Sequence, residues 1–306
     1  MAHDRLPINT HYEIGLNATR VGALAYGCWR MAGTSTTAAA EKINTALDHG
    51  MTLIDTADIY GSRWPEGFGE AEALLGEVLA EDGGLRGRMV LASKGGIVPG
   101  QPYDSSADYL VSACEASLTR LKTDVIDLYQ IHRPDFLAHP AEVACALTKL
   151  RDAGKIIDVG VSNYSPAQFS ALQAHLDFKI ACHQPEFSIC CTDPIEDGVL
   201  DQCMETGAAA LAWSPLAGGA LLGTAPSKEP RLIAIQAVLD RLGATYETDR
   251  ASVALAFLLA HPAKVIPIIG TQTPARIAEA VKAFDVPLTR RDWYDLLEAR
   301  RGTPMP

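Results

Sequence analysis

Asp55, Tyr60, Lys94 and His132 carry the chemistry most legible in this chain. An acid, a phenol, an amine and an imidazole can together build a proton-transfer site. Reduction of a carbonyl by hydride leaves an alkoxide that needs a proton. A tyrosine hydroxyl can donate it, but an unperturbed phenol, with a pKa of ~10, exchanges slowly at neutral pH. A neighbouring ammonium stabilises the phenolate, and a carboxylate next to that ammonium holds it in place. A histidine N–H can orient the carbonyl or share the transfer. Taken singly, each residue has a plainer use: Asp55 as a loop cap, Lys94 as a solvated rim charge, His132 as a structural histidine, Tyr60 as packing. Their conjunction sets those readings aside, because all four follow apolar runs that read as neighbouring strands.

The elements that must position them recur along the whole chain. Eight apolar, strand-like runs lie at 21–27, 51–54, 89–92, 125–131, 156–162, 179–184, 208–214 and 264–270. Most are nearly continuous rather than alternating, as in strands covered on both faces. Segments with helical periodicity separate them. AAAEKINTALDH (38–49) places Ile43, Ala46 and Leu47 on one face, and EAEALLGEVLAE, ADYLVSACEASLTRL and AEVACALTKLRDAG behave alike. Ser165-Pro166, Asp193-Pro194 and Thr273-Pro274 read as a cap followed by a proline at a helix start. Strand alternating with helix predicts parallel strands, and eight units predict an α/β fold of the closed (β/α)8 TIM-barrel type. An open doubly wound sheet is the alternative, but no G-x-G-x-x-G follows the first strand. Residues 11–21 read as a short hairpin over the barrel floor. Residues 228–243 read as an extra helix, and RRDWYDLLEA as a last amphipathic one. The chain, residues 1–306, reads as a single domain.

Bulk properties narrow the function classes. The chain has 306 residues and a formal net charge of -11. With no long basic run, a broad phosphate footprint on nucleic acid is not expected. No apolar run approaches the ~20 residues that span a bilayer, and the N-terminus lacks a signal core. Seven cysteines without a C-x-x-C pair suit free thiols in a reducing cytoplasm. Cys190 and Cys191 are candidates for a reactive thiol. The expected partner is a small-molecule carbonyl substrate, with no nucleic acid and no membrane, the chain acting as a monomer or weak homo-oligomer. A metal-dependent hydrolase would need ligands such as His132, Asp55 and Glu186, yet no H-x-H or H-E-x-x-H pair is present.

The words around the four residues, DTADIYG, LASKGG, LKTDVIDLYQIHRPD and VGVSNYSPAQF, resemble the aldo-keto reductase family. The resemblance runs from YGCW near residue 27 to ARIAEA near 280. It implies an NADPH-dependent reductase of aldehydes or ketones, with Tyr60 as general acid and Lys94 as its pKa-lowering partner. Asp55 anchors Lys94, and His132 positions the carbonyl. A nicotinamide-binding sensor with little turnover is the alternative, as in potassium-channel β-subunits.

The resemblance also implies a cofactor site. Ser162, Asn163 and Gln184 match the family residues that hold the nicotinamide carboxamide. Trp213 matches its stacking aromatic, where many relatives have tyrosine. Gly27, Cys28, Trp29, Ser214, Pro215, Leu216, Gly218 and Gly270 fall at cofactor-contacting positions. With Thr273 as cap, Arg276 falls in a first helical turn, where a cation opposes the dipole unless an anion is bound. The resemblance makes that anion the 2′-phosphate of NADPH, with Thr271 donating to it and Glu279 near adenine. Many relatives place a lysine in the preceding turn, where this chain has Ile269-Gly270-Thr271, so use of NADH stays compatible with the turn. Trp29, Trp64, Phe68 and Phe136 are candidate pocket aromatics, with Tyr60 and His132 also facing substrate. The short connection after His132 predicts an open site.

Overall fold

The structure, a computed structural model, describes residues 4–61, 67–223 and 228–306. It opens with an antiparallel hairpin, β1 (His11–Ile14) and β2 (Thr19–Gly22). Then come β3 (Ala25–Gly27), α1 (Thr36–Asp48), β4 (Leu53–Asp55), α2 (Glu70–Glu81) and β5 (Val90–Gly95). A second small hairpin follows, β6 (Ile97–Val98) with β7 (Gln101–Tyr103), and then α3 (Ala107–Leu121). The middle of the chain continues with β8 (Ile126–Ile131), α4 (Pro140–Asp152), β9 (Ile156–Ser162), α5 (Pro166–Gln173) and β10 (Cys182–Gln184). Two short helices, α6 (Asp193–Glu196) and α7 (Val199–Thr206), precede β11 (Ala209–Ala212). The last elements are α8 (Pro230–Thr245), α9 (Arg250–Leu259), β12 (Val265–Ile269), α10 (Pro274–Glu279) and α11 (Arg290–Arg301).

Eight of these strands close a parallel barrel in the order β3, β4, β5, β8, β9, β10, β11, β12. Each corresponds to one of the eight apolar runs. The first run is divided: Val21 and Gly22 finish the floor hairpin, and only 25–27 enters the barrel. The open doubly wound alternative is excluded by the β12–β3 pairing, Ile268 with Ala25 and Ile269 with Tyr26.

The hairpin lies at the strand N-termini. Leu16 N donates to Asp158 Oδ1 at 2.9 Å, near the start of β9. Gly15 makes that approach possible: it has φ +70°, and a Cβ there would sit 1.8 Å from the Asp158 carboxylate. At the other end of the barrel, Gly160 in β9 clears room for two neighbours. A Cβ on it would lie 2.3 Å from Cys182 Sγ and 3.0 Å from Gln130 Cγ.

All three cap-and-proline starts read from the sequence place proline in the first turn of a helix, but only one makes its capping bond. Ser165 and Gln168 form a reciprocal capping box on α5. Asp193 is not a cap: Thr192 takes that position and Asp193 is already inside α6. Thr273 is the N-cap of α10, but its side chain makes no capping bond. The extra helix is α8, two residues longer at its C-terminal end than the sequence suggested. Among the described residues, no helix is long and apolar enough to cross a membrane.

His183 on β10 is buried and stacks on Phe169 of α5, ring centroids 5.8 Å apart. Burial lowers its pKa to about 4. Below pH ~6.5 the unfolded chain takes up a proton that the folded chain refuses, so stability falls as pH drops from ~6.5 toward that lower value. The loss from this group approaches roughly 1.4 kcal/mol per pH unit. Urea unfolding at pH 7 and pH 5.5 should therefore show a smaller pH-dependent loss for His183→Phe than for wild type. Equal losses would assign the dependence to other groups.

Candidate active site

At the C-terminal mouth of the barrel, one buried ammonium gathers three of the four sequence-selected residues. Lys94 ends in a fully buried Nζ that donates to Asp55 Oδ2 at 2.6 Å, to the Thr56 carbonyl at 2.8 Å and to Tyr60 Oη at 3.1 Å. The loop bearing Tyr60 is stitched to the strand bearing Lys94. Thr56 N donates to Ala92 O, and Asp58 N to Lys94 O. Tyr60 is fixed from the far side by Ala71 N, which donates to its carbonyl at 3.0 Å from the first turn of α2. His132 follows β8, and its ring meets that of Tyr60 edge-on, centroids 5.8 Å apart.

Two glutamines complete the arrangement. Asp55 Oδ1 accepts from Gln184 Nε2 at 3.0 Å and from Gln130 Nε2 at 3.3 Å. Gln184 Nε2 also donates to Gln130 Oε1 at 3.2 Å. Both hydrogens of the Gln184 amide are thus spent inward, which leaves its Oε1 as an acceptor at the cleft. Gln130 was not picked out from the sequence. The available signal was an amide in the apolar run VIDLYQI, two residues before His132, and so on the same face of the strand.

The charges follow from this packing. Burial works against the Lys94 ammonium, but Asp55 and Tyr60 oppose it and hold the amine above its ordinary range. Burial likewise raises the Tyr60 phenol, and the Lys94 charge pulls it back only in part. The expectation of a phenol lowered overall is therefore corrected: Lys94 lowers it against a larger desolvation effect. Burial, with Lys94 and Arg133 adding to it, pushes His132 well below the usual imidazole range, so the ring is neutral at neutral pH. Among the described residues its Nδ1 is buried without a partner, which leaves Nε2 as the nitrogen for a ligand.

These residues open onto a cleft of about 1420 Å³. Asp55, Tyr60, His132, Ser162, Asn163 and Gln184 line it, as do Gly27, Trp29 and the run Trp213 to Leu216. Gly218, Gly270, Thr271, Arg276 and Glu279 line its far arm. Asn163 and Ser214, which follow β9 and β11, both adopt left-handed backbone, φ 58° and 51°. Trp213 Nε1 donates to Asn163 Oδ1 at 3.0 Å, and Asn163 Nδ2 to Ser162 Oγ at 2.7 Å. The indole and the amide therefore hold each other in position.

Several expectations change. Cys28 does not reach the cleft: it is fully buried, and its backbone N–H is spent on Asp55 O. Phe68 does not line the cleft, and Arg120 lies over its ring. Phe136 is 79% exposed and also stays outside. Trp64 lies outside the described residues. Arg276 stands in a helix of only six residues, too short for much dipole, so its own charge is what matters. Burial raises the thiols of Cys190 and Cys191, which makes neither a ready thiolate. Among the described residues, no group of three or more His, Cys, Asp or Glu could hold a metal ion, so Asp55, His132 and Glu186 form no such site.

The cleft has a second set of residues that sequence reasoning passed over. Arg30 lies over the Trp29 ring at 5.6 Å, and Arg133 over the Trp213 ring at 5.8 Å. Both line the cleft, and among the described residues neither guanidinium forms an ion pair. Gln272, Asp249 and Arg250 line it too.

Comparisons with known proteins agree on one family. Residues 23–301 match the Aldo/keto reductase family. A 6-dehydroglucose reductase of Novosphingobium aromaticivorans is 48% identical over 296 residues, 96% of each chain. A 6-dehydroglucose reductase of Agrobacterium fabrum is 37% identical, covering 89% of this chain and 92% of its own. Among solved structures, a glycerol dehydrogenase from Gluconobacter oxydans superimposes with a TM-score of 0.82 at 26% identity, over 100% of this chain and 98% of that one. A thermostable aldo-keto reductase in complex with the inhibitor epalrestat gives 0.81 at 26% identity, over 94% and 99%.

Proposed function

The chain belongs to the aldo/keto reductase family, and from that premise we propose that it reduces the aldehyde carbon of an oxygen-rich, sugar-like substrate with NADPH. The observation that carries the reading is the Lys94 ammonium 3.1 Å from the Tyr60 hydroxyl, locked there by Asp55 and opening on the cleft beside His132. When bound, the nicotinamide supplies a hydride to the carbonyl carbon. Tyr60 Oη donates its proton to the oxygen that gains the charge. Lys94 stabilises the phenolate left behind, and solvent returns the proton. His132, neutral, donates from Nε2 to the carbonyl oxygen and fixes its direction. Gln184 Oε1, Asn163 and Ser162, which line the cleft, would hold the nicotinamide carboxamide, and Trp213 would lie against the ring. The far arm, with Arg276 and Thr271, takes the adenosine end and its 2′-phosphate. The sensor alternative has no observation in its favour, since the proton donor and its cation are already in contact.

The substrate class rests on the cleft lining and on the printed activity of the two relatives. Indole faces pack against the C–H faces of a sugar ring, and guanidinium groups donate to its hydroxyls. Trp29 supplies the indole, and Arg30 and Arg133 the guanidinium groups, in the cleft that Tyr60 also lines. The seven free thiols support a reducing, cytoplasmic setting, with no call for a nucleic acid or membrane partner. Following NADPH absorbance with 6-dehydroglucose and with a simple aliphatic aldehyde tests the class. The expected kcat/KM ratio favours the sugar by roughly tenfold or more. Equal values would leave a general carbonyl reductase and remove the sugar assignment.

A further inference from the structure

Lys42 is a buried lysine that the reaction just described does not use. It lies on α1, 5% exposed, and reaches across to the loop after β12. Its Nζ donates to Gln272 Oε1 at 2.9 Å and to Thr34 Oγ1 at 3.4 Å. Among the described residues no carboxylate pairs with it. Both of its hydrogen-bond acceptors are neutral, and Glu41, its neighbour on α1, acts on it only through space, so the buried ammonium has no anion in contact among the described residues, which is a costly arrangement. Burial accordingly lowers its pKa.

The acceptor it holds belongs to the far arm of the cleft. Gln272 Nε2 donates to Tyr26 Oη at 3.3 Å and lies 3.4 Å from the Gly270 carbonyl. Tyr26 Oη donates in turn to Thr271 O at 3.3 Å. Lys42, Gln272 and Tyr26 therefore brace the 270–273 turn from beneath. Above that turn, Thr271, Gln272, Thr273 and Arg276 line the cleft. The turn itself contains no lysine, and Arg276 forms no ion pair among the described residues. Two positive charges thus face the same few residues, one from the cleft and one from α1, and among the described residues neither has an anion in ion-pair contact.

We propose that Lys42 is a positioning residue for the 2′-phosphate of NADPH: it fixes the turn through Gln272 and supplies positive potential from beneath it. The inference rests on the NADPH reading above. It places the charge that selects the phosphorylated cofactor on a helix 230 residues distant in sequence from the turn. A dianionic phosphate offsets the buried ammonium, whereas NADH, which lacks that group, gains only the shape of the turn.

Binding to the apoprotein, followed by quenching of tryptophan fluorescence, tests this without turnover. NADPH and NADH are titrated into wild type, Lys42→Met and Lys42→Arg, with urea unfolding of each as a folding control. Lys42→Met is expected to weaken NADPH about tenfold while NADH stays within about twofold. Lys42→Arg is expected to recover most of the NADPH affinity, and the salt dependence of NADPH binding should be shallower in Lys42→Met. Equal weakening of both cofactors would overturn the proposal, because a brace without an electrostatic role acts on both. Unchanged NADPH binding would overturn it as well. If Lys42→Met fails to fold, Lys42→Gln is read by the same NADPH-to-NADH ratio. If wild type binds neither cofactor, the underlying cofactor assignment fails first, and that result is separate from a shifted ratio.

Discussion

Tyr60→Phe is expected to lower kcat for carbonyl reduction by roughly 10²–10⁴-fold, the usual contribution of a positioned proton donor. NADPH affinity should stay within about twofold, since the ring and its edge contact with His132 remain. The fold should lose little. Lys94 keeps its bonds to Asp55 Oδ2 and to the Thr56 carbonyl, so removing the hydroxyl costs about one hydrogen bond, ~1 kcal/mol. Steady-state rates with a fluorescence titration of NADPH separate the two effects. A variant that binds NADPH normally and turns over at a wild-type rate would remove Tyr60 from the reaction. The wild-type rate itself should be flat across neutral pH, because burial keeps the phenol protonated there and His132 neutral.

Breaking the buried ion pair has the largest expected effect on stability. Lys94 and Asp55 meet at 2.6 Å with almost no solvent contact. Lys94→Met leaves a buried carboxylate whose remaining donors are the amides of Gln130 and Gln184. Removing one partner of such a pair typically costs ~3–5 kcal/mol. Urea denaturation should show that loss, with activity falling as in Tyr60→Phe. The double variant Asp55→Asn, Lys94→Met restores neutrality and should regain at least ~2 kcal/mol over Lys94→Met, since an unpaired buried charge is the main cost. It should regain no activity. If Lys94→Met were as stable as wild type, the pair would not be the rigid anchor the geometry implies.

The barrel was legible because each of its strands is covered on both faces and so reads as an unbroken apolar run. The four chemical residues were legible because each interrupts or follows such a run. What escaped notice had a different physical origin. β6 and β7 are two and three residues long, too short to show alternation. The helix α9, RASVALAFLL, is buried on nearly every side and therefore shows no amphipathic stripe. Loop aromatics such as Phe68 and Phe136 carry no periodicity that would give their direction, and both turned away from the cleft. Arg30 and Arg133 looked like ordinary surface charges until the barrel placed them over Trp29 and Trp213. Lys42 sat on an amphipathic helix in the sequence, and only the closed barrel brings Gln272 to it.

Closure of the barrel through its first and last strands has a consequence for synthesis. β3 leaves the ribosome first among the barrel strands and waits for β12, its partner at the seam. His132 emerges long before Ile269; at usual translation speeds the interval is on the order of ten seconds. Throughout that time the nascent sheet has two unpaired edges, and such edges are templates for pairing with another chain. A chain cut short before β12 would therefore already carry Asp55, Tyr60, Lys94 and His132 but keep an open sheet edge. The last strand delivered completes the seam and removes both edges in one step.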